Sequence, residues 1–196
     1  MNEKGLGEGI RRTMGELGVE RGELFISTKV WNSHRGYDKT LRAFEESMKK
    51  LGLEYLDLYL IHWPAVSRWH DDWREINRST WRAFEQLYRE GRVKAIGVSN
   101  FLAHHVRALT EDSEIKPMVN QIEYHPGFGQ VESASYCRAS GIVVKAWRPL
   151  GSGIGDSVRD IKRSRRGADV DCGVSFVGSR VSGSEAKITE WAKSKL

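Results

Sequence analysis

Between residues 24 and 150, short apolar runs rich in β-forming residues alternate with longer stretches whose apolar positions recur every three or four residues. That alternation constrains the fold more than any other feature of the chain, because strands separated by helical segments pair in parallel through helical crossovers. Five strands are predicted: LFISTKV (24–30), LDLYLIH (56–62), VKAIGVS (93–99), MVNQIEY (118–124) and IVVKAW (142–147). Most are apolar nearly throughout, as expected of strands covered on both faces. The fold class expected is α/β, with helices shielding a parallel sheet.

The helical segments carry their own punctuation. Asp38 is expected to cap a helix with Leu41, Phe44, Met48 and Leu51 on one face and Gly52 at its end. A second helix is expected to start at Ser79, bury Trp81, Phe84, Leu87 and Tyr88, and stop at Gly91. Weaker helical patterns span 102–111 and 129–140, and an opening helix around 5–17 precedes the first strand. The segment from Trp63 to Ser79, with three tryptophans, is read as a long pocket-shaping loop. GLGEGI near the start follows no strand and has the wrong spacing for a dinucleotide loop, so helix packing is the expected role of its glycines.

At 196 residues, 39% hydrophobic, the chain can bury a core. No apolar run reaches bilayer length and no signal-like stretch opens the sequence, so a cytoplasmic protein is expected. Cys137 and Cys172 are too few for a disulfide framework and read as free thiols. The net charge is +5, and residues 151–196 supply +3 of it, from nine Lys/Arg against six Asp/Glu. The run from Arg159 to Arg166 lacks interleaved aromatics, so a solvated tail is expected there and no nucleic-acid partner.

Side chains from several strands converge where the strands of a parallel barrel end. The polar and aromatic residues at those ends are Lys29 and Trp31; His62 and Trp63; Ser99 and Asn100; Gln121, Glu123 and His125; and Trp147. A lysine closing a buried strand must be paired or functional, because an isolated buried ammonium is costly. His34, His70, His104 and His105 show no metal-ligand spacing with a carboxylate or cysteine, so no metal is expected.

FISTKVWNSHRGY, LGLEYLDLYLIHWP, VKAIGVSNF, PMVNQIEYHP and AWRPLGSG, in that order, resemble segments of the aldo-keto reductases. Within that family the likeness is to the prostaglandin F synthase type and the bacterial 2,5-diketo-gluconate reductases, over residues 1–153. The resemblance implies a partial (β/α)8 TIM barrel that uses NADPH (NADP) to reduce an aldehyde or ketone to an alcohol. It implies catalytic roles for Lys29 and His62, cofactor binding by Ser99, Asn100, Gln121 and Trp147, and a substrate pocket lined by Trp31 and Trp63. The family's tetrad has a tyrosine as proton donor, a lysine that lowers the tyrosine's pKa, an aspartate paired with the lysine, and a histidine that orients the carbonyl.

Asn2 and Glu3 match the end of the family's tyrosine motif, which puts the tyrosine and the aspartate before Met1. A chain truncated at its N-terminus is expected, with a divergent and poorly ordered tail over 154–196. Arg148 stands where relatives usually carry serine. The alternative reading is a catalytically inactive barrel remnant or an incomplete gene model with weak nucleotide binding. A monomer is expected of an intact barrel, and association through open sheet edges of a five-strand piece.

Overall fold

The computed structural model describes residues 3–65, 71–125 and 127–149. Five strands, β1 (Ser27–Val30), β2 (Leu58–Ile61), β3 (Ile96–Ser99), β4 (Val119–Glu123) and β5 (Val143–Trp147), form one parallel sheet in sequence order. Helices α1 (Glu3–Leu17), α2 (Tyr37–Leu51), α3 (Trp73–Arg89), α4 (Ala103–Glu111) and α5 (Val131–Ala139) alternate with them, each packed on the next. The parallel α/β sheet is as the alternation predicted, and it agrees with the partial (β/α)8 barrel that the family resemblance implies. The strands are shorter than the apolar runs, and some of the leading residues pair outside them, as Leu56 does with Val93 in an isolated parallel bridge.

The core lies between the sheet and the helices. Tyr59 of β2 stacks on Phe84 of α3 with ring centroids 4.5 Å apart, and Phe84 stacks on Trp81 at 5.6 Å. Phe44, Met48 and Leu51 of α2 are buried with them, and Leu41 packs against the cluster from its edge. Gly7 of α1 permits close helix contact, since a Cβ there would sit 2.5 Å from the Leu51 carbonyl oxygen. Gly7 of GLGEGI thus serves packing, as expected, whereas a Cβ at Gly9 would meet nothing within 4 Å. Cys137 is a buried free thiol, while Cys172 and the tail over 154–196 lie outside the described residues.

Two helix starts differ from expectation. The first residue of α2 is Tyr37, and Gly36 is its N-cap with φ 95°. Asp38 therefore sits inside the first turn, where its carboxylate faces the positive end of the helix dipole. Its far end agrees with the sequence: Gly52 closes it in the left-handed region at φ 69°. The first residue of α3 is Trp73, two turns before Ser79, so the connection after β2 is shorter than expected and Trp73 belongs to the helix. The buried face of those early turns is polar, with Asn77 and Thr80, and apolar periodicity cannot reveal it. Ser79 does not cap α3; its hydroxyl accepts the backbone N–H of Tyr37. Trp69 lies outside the described residues.

Strand register decides which side chains share a face. Lys29 pairs with Leu60, Leu60 with Gly97, Gly97 with Val119, and Val119 with Val143. These residues form one row on the face away from the helices, because side chains alternate with a period of two. Gly97 is required in this row: a Cβ there would lie 2.4 Å from the Val119 carbonyl oxygen and 2.8 Å from Leu60 Cδ2. Gly97→Ala is expected to destabilise the fold by about 1–3 kcal/mol, as overpacking typically does. Urea unfolding followed by tryptophan fluorescence measures it, and an unchanged midpoint would contradict the close approach.

Candidate functional site

The next row of the inner face begins where the strands end. Ser99 pairs with Gln121 and Gln121 with Lys145, and one step further Glu123 pairs with Trp147. His62 follows β2 directly and extends this row toward β1. The structure therefore gathers the residues expected from the sequence at one end of one face.

Asn100 ties them together. Its side-chain Nδ2 donates to the His62 carbonyl at 3.0 Å and to Ser99 Oγ at 3.2 Å. Its Oδ1 accepts the indole N–H of Trp147 at 2.9 Å. Its backbone N–H donates to the Gln121 carbonyl at 2.9 Å, and the Ser99 hydroxyl donates to that same oxygen at 2.9 Å. Asn100 holds φ 61°, a left-handed conformation that asparagine tolerates better than most residues. One amide thus fastens the ends of β2, β3 and β5, and its main chain fastens β4.

Lys29 and His62 share the other side of this rim. Burial, and secondarily the Lys145 ammonium, hold the Lys29 pKa below the usual lysine value. Burial, and secondarily Lys29, lower that of His62, which favours the neutral imidazole. His62 Nδ1 is buried with no hydrogen-bond partner among the described residues. Its ring lies 5.0 Å from that of Trp31 and 6.2 Å from that of Trp63. Trp31 and Trp63 are 47% and 40% exposed, so the rim offers apolar aromatic surface to a ligand.

The residues fit a nicotinamide. Among the described residues, the Gln121 side-chain amide is the member of the expected carboxamide set with no hydrogen-bond partner, since the atoms of Ser99 and Asn100 already hold the rim. The Trp147 indole plane is fixed by its bond to Asn100 and offers a surface for stacking. Among the described residues no group of three or more His, Cys, Asp or Glu is arranged to hold a metal ion, and no helix is long and apolar enough to cross a membrane.

Sequence reasoning left three contributions unassigned. Arg35 is buried, and burial pushes its pKa down to about 10. Its guanidinium donates to the Trp63 carbonyl, to Asn77 Oδ1, and to Thr80 Oγ1 at 3.2 Å, joining the loops after β1 and β2 to α3. Its partners Asn77 and Thr80 lie more than forty residues on, and no sequence signal marked the contact. Lys145 is 4% exposed and was hidden inside an apolar run. At the outer rim, Glu123 Oε1 lies 3.6 Å from His125 Nε2 and 3.7 Å from the guanidinium of Arg148, which also sits 5.4 Å over the Trp147 ring.

The loop carrying Ser99 and Asn100 runs into α4, where the Leu102 N–H donates to His105 Nδ1 at 3.2 Å. Burial, and secondarily His104, push the His105 pKa down to about 4. In the unfolded chain the group titrates near the ordinary value of about 6.5. The unfolded state therefore binds more protons between those values, and stability falls as pH drops from about 6.5 to about 4. Urea midpoints across that window are expected to decline, and to decline less in His105→Gln; equal declines would contradict the assignment. Asn100→Ala strands the His62 carbonyl and the Trp147 indole N–H, with an expected loss of about 1–3 kcal/mol. Thermal unfolding measures it, and an unchanged midpoint would show that the fastening is dispensable.

The aldo/keto reductase family model matches residues 1–190. The glyoxal reductase of Bacillus subtilis is 53% identical over 152 residues, covering 78% of this chain and 51% of the relative. An aldo/keto reductase structure from Brucella melitensis superposes with a TM-score of 0.72 at 42% identity, covering 85% of this chain and 61% of the other. A Bombyx mori aldo-keto reductase solved in complex with NADP gives a TM-score of 0.69 at 36% identity, covering 79% and 52%. The chain spans about half the length of the curated relatives it matches.

Proposed function

Because this chain belongs to the aldo/keto reductase family, we propose that it serves the NADPH-dependent reduction of aldehydes or ketones to alcohols. The observation that carries this reading is the shared inner row of His62, Ser99 and Gln121, with Lys29 one row below and Trp147 one row above. When bound, the nicotinamide supplies the hydride. Trp147 would stack beneath the ring and Gln121 would bind its carboxamide, with Ser99 and Asn100 fixing both. Two rigid contacts of this kind decide which face of the ring is turned toward the substrate.

His62 as a neutral imidazole would donate a hydrogen bond to the carbonyl oxygen and orient it. Lys29 as an ammonium would lower the pKa of a neighbouring tyrosine, the proton donor that the family resemblance implies. Trp31 and Trp63 would border the carbonyl substrate, in keeping with the apolar lining of small-molecule sites. NADPH as cofactor, a small carbonyl compound as partner and a cytoplasmic setting belong to the same reading; a solved relative holding NADP supports the cofactor.

A nicotinamide-fluorescence titration tests the site. Trp147→Ala and Gln121→Ala are each expected to weaken NADPH binding by about tenfold, the loss of a stacking contact or of a hydrogen bond. Unchanged affinity in both variants would remove the cofactor assignment. NADPH oxidation in the presence of an aromatic aldehyde tests the reaction, with Lys29→Met and His62→Ala expected to lower any rate seen by about 100-fold.

A further inference from the structure

Two consecutive carbonyls at the end of β2 are held from its two neighbouring strands. The His62 carbonyl accepts from Asn100, which follows β3, and the Trp63 carbonyl accepts from the guanidinium of Arg35, in the loop after β1. Asn100 also holds the Trp147 indole, so it belongs to the cofactor side of the rim. The contacts of Arg35 lie elsewhere, on Trp63, Asn77 and Thr80. Arg35 closes the short helical turn over Asn32–His34 that Trp31 opens, with the His34 N–H donating to the Trp31 carbonyl at 2.9 Å. One side chain thus connects the main chain beside both exposed tryptophans.

Thr80 completes the clamp. Its hydroxyl oxygen accepts from Arg35 Nε at 3.2 Å and from the Gly36 N–H at 2.8 Å, and the hydroxyl donates to the Ile76 carbonyl at 2.6 Å. Asn77 turns its Oδ1 to Arg35, and its Nδ2 is buried with no hydrogen-bond partner among the described residues. A buried network left partly unsatisfied costs stability, and what this one secures in return is position. An arginine suits the task, because its planar fork reaches several oxygens in fixed directions where a lysine offers one point of charge.

We propose that Arg35 is a positioning residue for the carbonyl substrate: by clamping the loops after β1 and β2 to α3, it holds Trp31 and Trp63 beside His62 as one preformed wall, and so sets substrate affinity without acting on the cofactor. The inference rests on the reading of Trp31 and Trp63 as the substrate border. Both indoles are exposed, so packing alone leaves them room to turn, and anchorage of their main chain limits that freedom. Pro64 adds to the anchorage, since the residue before a proline is pressed into extended backbone. A wall held in place before the ligand arrives spares the cost of ordering it on binding.

NMR of the indole N–H groups tests this on the full chain, at a temperature where each variant is folded. Acetophenone is titrated with NADP+ present, so that nothing is reduced, and its affinity is read at Trp31 and Trp63; NADPH affinity is read separately at Trp147. Arg35→Gln is expected to weaken acetophenone binding by about tenfold, the cost of ordering two loosened indoles. Its NADPH affinity is expected to stay within about twofold of the wild type, as for independent sites. Thr80→Val, which removes one oxygen of the clamp, is expected to weaken acetophenone by about threefold, again sparing NADPH. A clamp that served stability alone would lower the unfolding midpoints and leave the acetophenone affinity of the folded variants unchanged. That result overturns the proposal, as does an equal loss of NADPH affinity. If Arg35→Gln fails to fold, Thr80→Val decides by the same two readings. Wild-type protein that binds NADPH but shows no acetophenone shifts at Trp31 and Trp63 sinks the substrate border and the inference with it, whereas wild-type binding that ignores both substitutions sinks the role of Arg35 alone.

Discussion

The two-residue alternation of a strand, combined with in-order parallel pairing, governs everything that the rim can do. Once Lys29 is paired with Leu60 and Gly97 with Val119, the side chains that face inward at every strand end are fixed. A slip of one residue in any pair would turn His62, Ser99 or Gln121 into the helical layer and bring Ile61 or Val98 to the rim. Gly97 and the closely packed Val119 guard that register, because no side chain fits at the crossing.

Polar contacts then sharpen what register sets coarsely. Asn100 uses its amide donor and acceptor on three neighbours and accepts a left-handed backbone to do so. Arg35 is a buried cation satisfied by neutral oxygens, a costly choice that joins two rim loops to one helix. Both interactions spend stability on geometry. The lowered pKa values of Lys29 and His62 follow from the same enclosure: a face turned inward and roofed by Trp31 and Trp63 weakens the hold of solvent on charge.

The sheet was legible because its strands are apolar on both faces, and so were Gly52 as a helix stop and the rim residues that follow each apolar run. The start of α3 was not, because its buried face is polar at Asn77 and Thr80 and finds its partner in Arg35, more than forty residues away in sequence. Asp38 misled for a different reason: a good capping residue stood one position inside the helix, while Gly36 made the turn. Lys145 could not be read at all, since a lysine in an apolar run gives no sign of which face it takes until the register with Gln121 is known.

The central claim is that the inner ends of these strands meet at a nicotinamide. NMR observation of the Trp147 indole N–H and the Gln121 side-chain amide during titration with NADPH reads that claim at two atoms of the site. Shifts in both resonances, saturating together and accompanied by changes at the ring protons of His62, are the result this account predicts. Unmoved signals at Trp147 and Gln121 alongside shifts on the helical face would contradict it.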